Sequence, residues 1–388
     1  MTDFFQISQK KCFRLKNPLK HQTQRANTRF RRSHPSSIDT FSNCSDFKSK
    51  FYYASMKFQS FLSNRTFSLK VNNTISPLKH PIPSGVPQGT VSGPLLFILF
   101  INDVLLKIPP SVQVSCYADD IKIYGPSASD LQSTIDQIAT WSKRNHLPLA
   151  PAKTSLLHLG PLNKLHSFTV DNIPVLPSSS VRDLGLLTDD KLTFKSHINR
   201  ISSLALLRSK QILKSFSSTS PEFYVNLYKL YVSPILEYCS VVFSPPPNSK
   251  LAKTLESPLQ YYSKRALQRC NIKYNSKSTV NNTSNYSQSY LNRIQILNIQ
   301  TARSLRLKAQ LLLLYNILTG TAYFPDINDF VVFVSSNRRP MLLINRHPKV
   351  RNFFSQVVPI WNSIVHNSPE FLPPSSFSLL IESNICKF

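Results

Sequence analysis

Two runs of alternating apolar and polar residues enclose a pair of acidic residues, and this pattern constrains the fold more than any other part of the sequence. Residues 112–117 alternate before the pair Asp119–Asp120, and residues 121–124 alternate after it. Alternation with a period of two is typical of strands that have one buried face. The sequence therefore predicts an antiparallel hairpin with two carboxylates at its tip.

The segments on either side of this hairpin have helical patterns. Pro94 can occupy the first position of a helix, and Leu95–Ile108 is apolar almost throughout, which is typical of a helix buried on several sides. After the hairpin, Ser127–Asp130 offers a helix cap, and apolar residues recur every three or four positions from 131 to 141. We therefore expect one helix in the core and a second, amphipathic helix that covers the hairpin.

Strand signals precede helix signals along the chain. Strands expected at 156–159, 168–170 and 181–187 complete a small sheet, and helical spacing dominates 198–216, 221–238, 251–270 and 290–318. This order is typical of an α+β fold with a helical second part. The predicted divisions are a basic, mostly disordered segment 1–50, a sheet-containing region 51–195, a helical region 196–274, a polar linker 275–289 and a carboxyl-terminal helical region 290–388.

The chain is strongly basic. Its 388 residues include 46 Lys and Arg against 19 Asp and Glu, which gives a formal charge of +27 at neutral pH and favours a polyanionic partner. Apolar residues make up 41 % of the chain, enough for a real core. The apolar runs are shorter than the roughly 20 residues that a membrane-spanning helix needs. Six dispersed cysteines without a Cys-x-x-Cys pair predict neither a zinc knuckle nor a disulfide framework.

The first fifty residues carry much of this charge, with eleven Lys and Arg against three acids. The alternative to disorder is a mitochondrial transit peptide, which is also rich in Arg and poor in acids. Asp3 and the absence of a clean amphipathic helix argue against that alternative.

The acidic pair has two explanations. Two carboxylates about 4 Å apart repel by roughly 1 kcal/mol in water and about 4 kcal/mol at an effective dielectric constant near 20. A divalent cation removes this cost, and Mg²⁺ prefers oxygen ligands from carboxylates and substrate phosphates. Taken alone, Asp119–Asp120 is more simply explained as a favourable turn sequence, which is how we interpret Asp189–Asp190.

The context of Asp119–Asp120 favours the metal. A glycine-edged loop, Gly85–Gly89, precedes the apolar helix and offers backbone for close approach to a substrate. The loop, the apolar helix and the Tyr117–Asp120 hairpin together resemble the reverse transcriptase of non-long-terminal-repeat (LINE-type) retrotransposons. The similarity covers about residues 51–388, with the family's order kept at Ser60–Thr66, Ser84–Phe97, Ile101–Val104, Tyr117–Asp120, Lys153–Thr154, Val181–Gly185, Phe194–His197, Pro234–Tyr238, Asn352–Ser355 and Pro359–Ser363.

This resemblance implies where substrates bind. It implies a truncated polymerase palm and partial fingers over 51–195, followed by a thumb over 196–274 that straddles the duplex. Pro87, Gln88 and Gly89 would contact template and incoming nucleotide. Tyr117 would position the substrate, although packing in the core is an equally good explanation for a hairpin tyrosine. The segment Leu184–Gly185 resembles the primer grip.

The resemblance also implies the chemistry. Asp119 and Asp120 would bind catalytic Mg²⁺, and Lys153 would lie near the leaving pyrophosphate. The implied reaction is RNA-templated DNA synthesis, in which the primer 3′-hydroxyl attacks the α-phosphate of a deoxynucleotide. Asp103 is better explained by helix termination or a structural hydrogen bond than by catalysis.

One departure from the family affects the site. The upstream motif that carries the first catalytic Asp has no counterpart, so we expect an incomplete site and an unpaired hairpin edge, as in a truncated or decayed element or a gene model that starts too late. Successive residues on a strand face opposite sides, so a third carboxylate from a neighbouring strand is needed beside Asp119 and Asp120. Asp39 and Asp46 lie upstream but have only a faint strand signal.

The sequence therefore leaves two alternative functions open. The first is an RNA-directed DNA polymerase, and the second is a non-catalytic nucleic-acid-binding remnant of such an element. Both use an RNA template, a DNA primer and the basic stretch Lys250–Lys308, where eleven Lys and Arg face the single acid Glu256. A purely structural protein would show no salt-dependent binding to nucleic acid. By resemblance we expect a ribonucleoprotein with the element RNA, in the nucleus, the cytoplasm or both.

Overall fold

The chain divides into two compact units, Met1–Ser179 (unit 1) and Ser180–Phe388 (unit 2). The computed structural model describes residues 57–82, 85–87, 89–106, 108–160, 163–274, 287–334, 341–348, 352–365 and 371–384, and the backbone of 2–8. The predicted boundary at residue 195 falls inside unit 2, because Leu186 before it and Ile198 after it share one core.

Unit 1 contains most of the strands. They are β1 (Thr2–Ser8), β2 (Thr66–Phe67), β3 (Lys70–Val71), β4 (Thr74–Ile75), β5 (His80–Pro81), β6 (Gln113–Tyr117), β7 (Asp120–Gly125), β8 (Ser155–Leu159), β9 (Phe168–Val170) and β10 (Ile173–Val175). Its helices are α1 (Ser92–Leu105), α2 (Ala128–Arg144) and the 3-10 helix Pro151–Lys153, and residues 57–62 are also helical.

Four strands form an antiparallel sheet in the order β6-β7-β1-β8. The predicted hairpin is confirmed as β6 and β7. The prediction that its edge stays unpaired is wrong, because β1 pairs with both β7 and β8. Within the segment 1–50, residues 2–8 form β1, and the rest of the segment, with Asp39 and Asp46, lies outside the described residues.

The other predicted strands do not extend this sheet. β9 pairs with β10 as a separate two-stranded hairpin. The segment 181–187 belongs to unit 2 and folds as its own hairpin, β11 (Ser180–Asp183) with β12 (Leu186–Asp189). The backbone N–H and carbonyl of Thr169 in β9 bond to the Gln132 side chain of α2 instead of to another strand.

Helices α1 and α2 contribute to the core of unit 1. Ile121 and Ile123 of β7 are fully buried with Leu131 of α2 and Val104 of α1. Ser127 caps α2 by accepting a hydrogen bond from the Asp130 N–H, as predicted. Helix α1 departs from the prediction of burial on several sides, because Leu95, Leu99 and Phe100 are exposed along one side of it, although the Phe100 ring still contacts Trp141.

Unit 2 is mainly helical. Its helices are α3 (Lys195–Ser215), α4 (Pro221–Tyr231), α5 (Ser233–Glu237), α6 (Ser240–Phe243), α7 (Lys250–Arg269), α8 (Gln288–Ile296), α9 (Ala302–Leu318), α10 (Ile327–Phe330), α11 (Phe353–Val365) and α12 (Pro374–Asn384). The strands β13 (Val331–Phe333) and β14 (Leu343–Asn345) pair within the region predicted to be helical.

Two predicted long helices of unit 2 are each divided. The segment 221–238 breaks at Val232, just before Pro234, which lacks a backbone N–H. The segment 290–318 breaks where Asn298 takes a positive φ of 49° and Thr301 caps a new helix. Local capping therefore overrides the continuous apolar pattern.

Unit 2 has two separate cores. One joins α3, α4 and α7 around Tyr224, Tyr228 and Tyr262. The other joins α9, α11 and α12 around Trp361 and Phe377. Across the described part of the chain, no helix combines the length and apolar character that a bilayer crossing requires.

Candidate nucleic-acid interface and acidic hairpin

The acidic pair occupies the tip of the β6–β7 hairpin. Tyr117 pairs with Asp120, so Ala118 and Asp119 form a two-residue turn. Ala118 takes a φ of 52°, a left-handed conformation that costs a residue with a side chain about 1–2 kcal/mol. The Asp119 carboxylate is exposed and takes part in no hydrogen bond or ion pair with the described residues.

The strand after the turn has a buried face and an open face. Ile121 and Ile123 point into the core and are fully buried. Asp120, Lys122 and Tyr124 alternate with them and are partly exposed. The acids therefore lie at one end of the sheet face that α1 and α2 do not cover.

Strand β1 lies directly beside this acidic end. Ser8 stands opposite Asp120 and Gln6 opposite Lys122. The one acid of β1, Asp3, stands opposite Gly125, five residues along β7 from Asp120 and hence about 17 Å away. The neighbouring strand that the sequence prediction called missing is present, but its positions nearest the acids carry no carboxylate.

Lys153 comes to the same end of the sheet. It ends the 3-10 helix that leads into β8, and Ser155 at the start of β8 stands opposite Gln6. Its side chain is exposed. The fold therefore places Lys153, Asp119 and Asp120 at one end of one sheet, while their predicted catalytic roles stay predictions.

Hydrogen bonds from the Arg65 and Thr90 side chains hold the glycine-edged loop. Arg65 Nη2 donates to the Gly85 carbonyl at 2.6 Å. Thr90 Oγ1 donates to the Pro87 carbonyl and accepts from the Gly93 N–H. A Cβ on Gly93 would approach Thr90 Oγ1 and the Pro87 oxygen to 3.0 and 3.1 Å, so a larger residue there would push against the loop.

Two predicted loop residues differ in what the structure describes. Gly89 takes a φ of 78°, the left-handed region, with nothing within 4 Å of a built Cβ. Its backbone is thus open for a close approach, in keeping with its predicted contact to nucleotide. Gln88 lies outside the described residues.

The predicted primer-grip segment forms the turn of the β11–β12 hairpin in unit 2. Leu184 and Gly185 have φ values of 44° and 94°, as a tight two-residue hairpin turn demands. Tyr238 Oη donates to the Leu184 carbonyl at 2.8 Å, and its ring lies 3.5 Å from where a Cβ on Gly185 would be. Tyr238 therefore fixes this turn, which sequence reasoning did not foresee.

Three structural interpretations from the sequence can be compared directly with the contacts. Asp103 accepts a hydrogen bond from Trp141 Nε1 at 2.9 Å, so its structural role is confirmed. Asp189 accepts from the N–H groups of Lys191, Thr193 and Phe194, so its turn role is confirmed. Tyr117 is half exposed, which disfavours the core explanation for it.

Helices α3 and α7 pack together and present a basic surface, which we call the α3–α7 surface. Their exposed cations are Lys195, Arg200, Arg208, Lys210, Lys214, Lys250, Lys253, Lys264, Arg265 and Arg269. The only acid on either helix, Glu256, is fully buried. Lys210 Nζ lies 5.9 Å from the centre of the Tyr261 ring, which adds an aromatic group to the cations.

Glu256 holds the start of α9 from inside unit 2. Its carboxylate accepts from Tyr290 Oη at 2.5 Å and from the N–H groups of Ala302 and Arg303 at 3.1 and 3.2 Å. The last two are orphan donors at a helix N-terminus. Glu256 is thus a structural acid, and neither α3 nor α7 exposes a carboxylate of its own.

A buried imidazole supports the start of α3. His197 Nδ1 accepts from the Leu187 N–H at 3.3 Å, and its ring packs edge-on against Phe243. Burial, with a smaller contribution from Arg200, lowers the pKa of His197. The residue is therefore neutral in the folded protein at neutral pH.

The residues at the hairpin tip do not complete a metal site by themselves. No three His, Cys, Asp or Glu side chains converge among the residues whose positions are described. Two carboxylate groups, Asp119 and Asp120, are oxygen donors of the kind a hard divalent ion prefers, but Ser8 and Gln6 stand where the adjacent strand would supply a third. The hairpin tip therefore supplies two of the three carboxylates that the metal site needs.

Comparisons with known proteins identify what the sequence is similar to. Residues 40–194 match the family described as reverse transcriptase (RNA-dependent DNA polymerase). The chain is 38% identical over 151 residues to an uncharacterized protein of Caenorhabditis elegans, which covers 39% of this chain and 69% of that protein.

Two relatives from Drosophila melanogaster have functional names. The RNA-directed DNA polymerase from mobile element jockey is 28% identical over 211 residues, covering 50% of this chain and 23% of that protein. The probable RNA-directed DNA polymerase from transposon BS is 30% identical over 178 residues, covering 42% and 19%. The chain therefore spans about a fifth of the length of these polymerases.

Residues 40–194 of the chain therefore carry a reverse transcriptase domain. The chain's similarity to the polymerases of mobile elements confirms the resemblance to the non-long-terminal-repeat type that the sequence motifs indicated. Members of this family generally use a divalent metal ion, and they act on an RNA template and nucleotides.

Proposed function

We propose that this chain is the polymerase part of a non-long-terminal-repeat retrotransposon reverse transcriptase, which binds an RNA template with a DNA primer and has an incomplete metal site. The observation that carries this proposal is the acidic hairpin at the open end of a four-stranded antiparallel sheet, in a chain with a cation-covered helix pair. The first feature is where nucleotide chemistry would occur, and the second is a surface for phosphates.

The α3–α7 surface and the β11–β12 turn support the binding of the primer and template. The α3–α7 surface has ten exposed cations and no exposed acid on either helix, an arrangement that attracts phosphates. Tyr261 and the half-exposed Tyr231 and Tyr238 supply rings that can pack against sugars or bases. Leu184 and Gly185, fixed by Tyr238, are the turn that we assign to the primer.

The nucleotide side of the proposal rests on unit 1. Gly89 offers open backbone, and Pro87 and Gln88 precede it in the sequence. Lys153 shares the acidic end of the sheet and would neutralise phosphate charge. The half-exposed Tyr117, opposite Asp120 in the hairpin, would contact the substrate rather than the core.

The metal we propose for the acidic end is Mg²⁺, because all the available donors are oxygen atoms and phosphates would complete the coordination. Asp119 and Asp120 are its ligands in the proposal. In this proposal the chain also uses a DNA primer and deoxynucleotides, and it acts with the element RNA in the nucleus, the cytoplasm or both.

The second candidate function is nucleic-acid binding without turnover. The register of β1 favours it, since Ser8 and Gln6 flank the acids where a third carboxylate is needed. The two candidates share their partners and differ only in chemistry.

A primer-extension assay with a paired binding assay tests the proposal. We expect the chain to bind a DNA primer on an RNA template in a salt-sensitive manner, with little or no incorporation of deoxynucleotides in Mg²⁺. Incorporation that Asp119→Ala abolishes would show that two carboxylates suffice. Binding that does not respond to salt would contradict the proposed function altogether.

A further inference from the structure

The backbone register of β1 identifies the position of the absent metal donor. Residues directly opposite in antiparallel strands share a face of the sheet. Positions 8 and 120 are such a pair, as are 6 and 122. Positions 6 and 8 of β1 therefore share the open face of the sheet with Asp120.

Both positions are close enough to complete a metal site with Asp120. Directly opposite residues have Cβ atoms about 5 Å apart, and diagonal neighbours about 7–8 Å apart. Bond lengths put the Cβ of a coordinating aspartate about 4 Å from Mg²⁺, so two aspartates on one ion can be up to about 8 Å apart at Cβ. An acid at position 8 or 6 would meet this condition.

We propose that the acidic end of this chain fails to hold a divalent ion tightly because Ser8, opposite Asp120, and Gln6, its diagonal neighbour, occupy the nearest positions of β1 on that sheet face, and that one aspartate there creates a three-carboxylate site. This inference rests on the proposed function and deepens it. The neighbouring strand is present and paired, so the deficit is a matter of two side chains and not of an absent strand.

Terbium luminescence measures this directly, with the metal ion alone as the probe. Tyr117 stands opposite Asp120 in the hairpin, so a Tb³⁺ ion held there lies close to a tyrosine that can sensitise it. We expect weak Tb³⁺ binding to the unchanged chain and affinity at least about tenfold higher in Ser8→Asp or Gln6→Asp, because carboxylate number sets affinity at oxygen sites.

Matched variants separate the site from a general charge effect. Thr2→Asp places the same acid on the same face of β1, about 20 Å along the strand from position 8, and we expect no gain from it. Combining Ser8→Asp with Asp119→Ala should abolish the gain. Tight Tb³⁺ binding by the unchanged chain that Asp119→Ala abolishes would overturn the proposal.

Thermal unfolding provides a second readout that also monitors folding of the variants. The added carboxylate repels Asp120 in the absence of metal, so Ser8→Asp should lower the melting temperature in EDTA and regain it in Mg²⁺. The unchanged chain and Thr2→Asp should not respond to Mg²⁺. If neither Ser8→Asp nor Gln6→Asp gains metal affinity while folded, the inference is wrong.

Failure of this inference can be distinguished from failure of the proposed function. Tb³⁺ binding involves no nucleic acid, whereas the proposed function fails when binding to primer and template does not depend on salt. A chain that binds nucleic acid but shows no gain in Ser8→Asp or Gln6→Asp would overturn this inference alone.

Discussion

Carboxylates occupy two contrasting places in this basic protein. In unit 2, Glu256 is fully buried, and three donors of the chain itself satisfy it. In unit 1, Asp119 is exposed at a hairpin tip and no described residue bonds to it. The first arrangement stabilises the fold, and the second is available to a ligand. Burial and partners, more than residue type, therefore separate structural acids from candidate functional acids.

Removal of Glu256 should give the largest effect. Glu256→Ala leaves the Tyr290 hydroxyl and the first N–H groups of α9 buried without their acceptor, so we expect a loss of about 3 kcal/mol in the free energy of unfolding. Glu256→Gln keeps an accepting oxygen and should lose less. Urea unfolding with Trp361 as the probe, in a Trp141→Phe background, reports unit 2 because these are the chain's two tryptophans.

A loss smaller than 1 kcal/mol in Glu256→Ala would contradict the structural role. The comparison with Glu256→Gln guards against a mere volume effect, since the amide fills the same space.

The buried imidazole of unit 2 should produce an intermediate effect that depends on pH. Burial lowers the pKa of His197 below the 6.5 of the unfolded chain. Well above pH 6.5 the imidazole is neutral in both states. As the pH falls below 6.5, the unfolded chain binds a proton that the folded chain does not, so unit 2 loses stability until folded His197 is itself protonated.

The measurement is the unfolding free energy between pH 7.5 and 5, followed through Trp361. His197→Gln removes the titrating group while keeping an acceptor for the Leu187 N–H, so the stability difference between the two proteins should shrink on acidification. A constant difference across this range would refute the assignment.

Substitution of Asp119 should give the smallest effect on stability. Asp119→Asn changes an exposed carboxylate with no described partner, so we expect the unfolding free energy of unit 1 to change by less than about 0.5 kcal/mol. Trp141 reports this unit in a Trp361→Phe background. A large loss would show that Asp119 is structural, as Glu256 is, and would remove the contrast between them.

Local patterns predicted the parts of the fold that depend on neighbours in sequence. The hairpin, the Ser127 cap of α2 and the turn at Asp189 follow from period, capping and turn chemistry, which act over a few residues. The structural role of Asp103 was anticipated from its place near a helix end, although its partner Trp141 is distant in sequence.

The errors concern contacts that no local pattern encodes. Strand β1 lies in a strongly basic segment, and its partners β7 and β8 are more than a hundred residues away. Its residues Phe4, Phe5 and Ile7 carried a strand signal that the charge of the segment obscured. The continuous apolar pattern of α1 likewise predicted burial on several sides, where the fold buries one. The position of the absent donor could therefore be found only from the register of the sheet.

Salt-dependent binding of a fluorescent DNA primer on an RNA template tests the central claim most directly. We expect the logarithm of affinity to fall steeply with the logarithm of monovalent salt concentration in EDTA. Arg208→Gln with Lys210→Gln should reduce the slope by about 1–2, since each phosphate contact contributes about 0.9. Lys143→Gln with Arg144→Gln on α2 should leave it unchanged. A flat salt response, or equal loss from both pairs, would contradict the account.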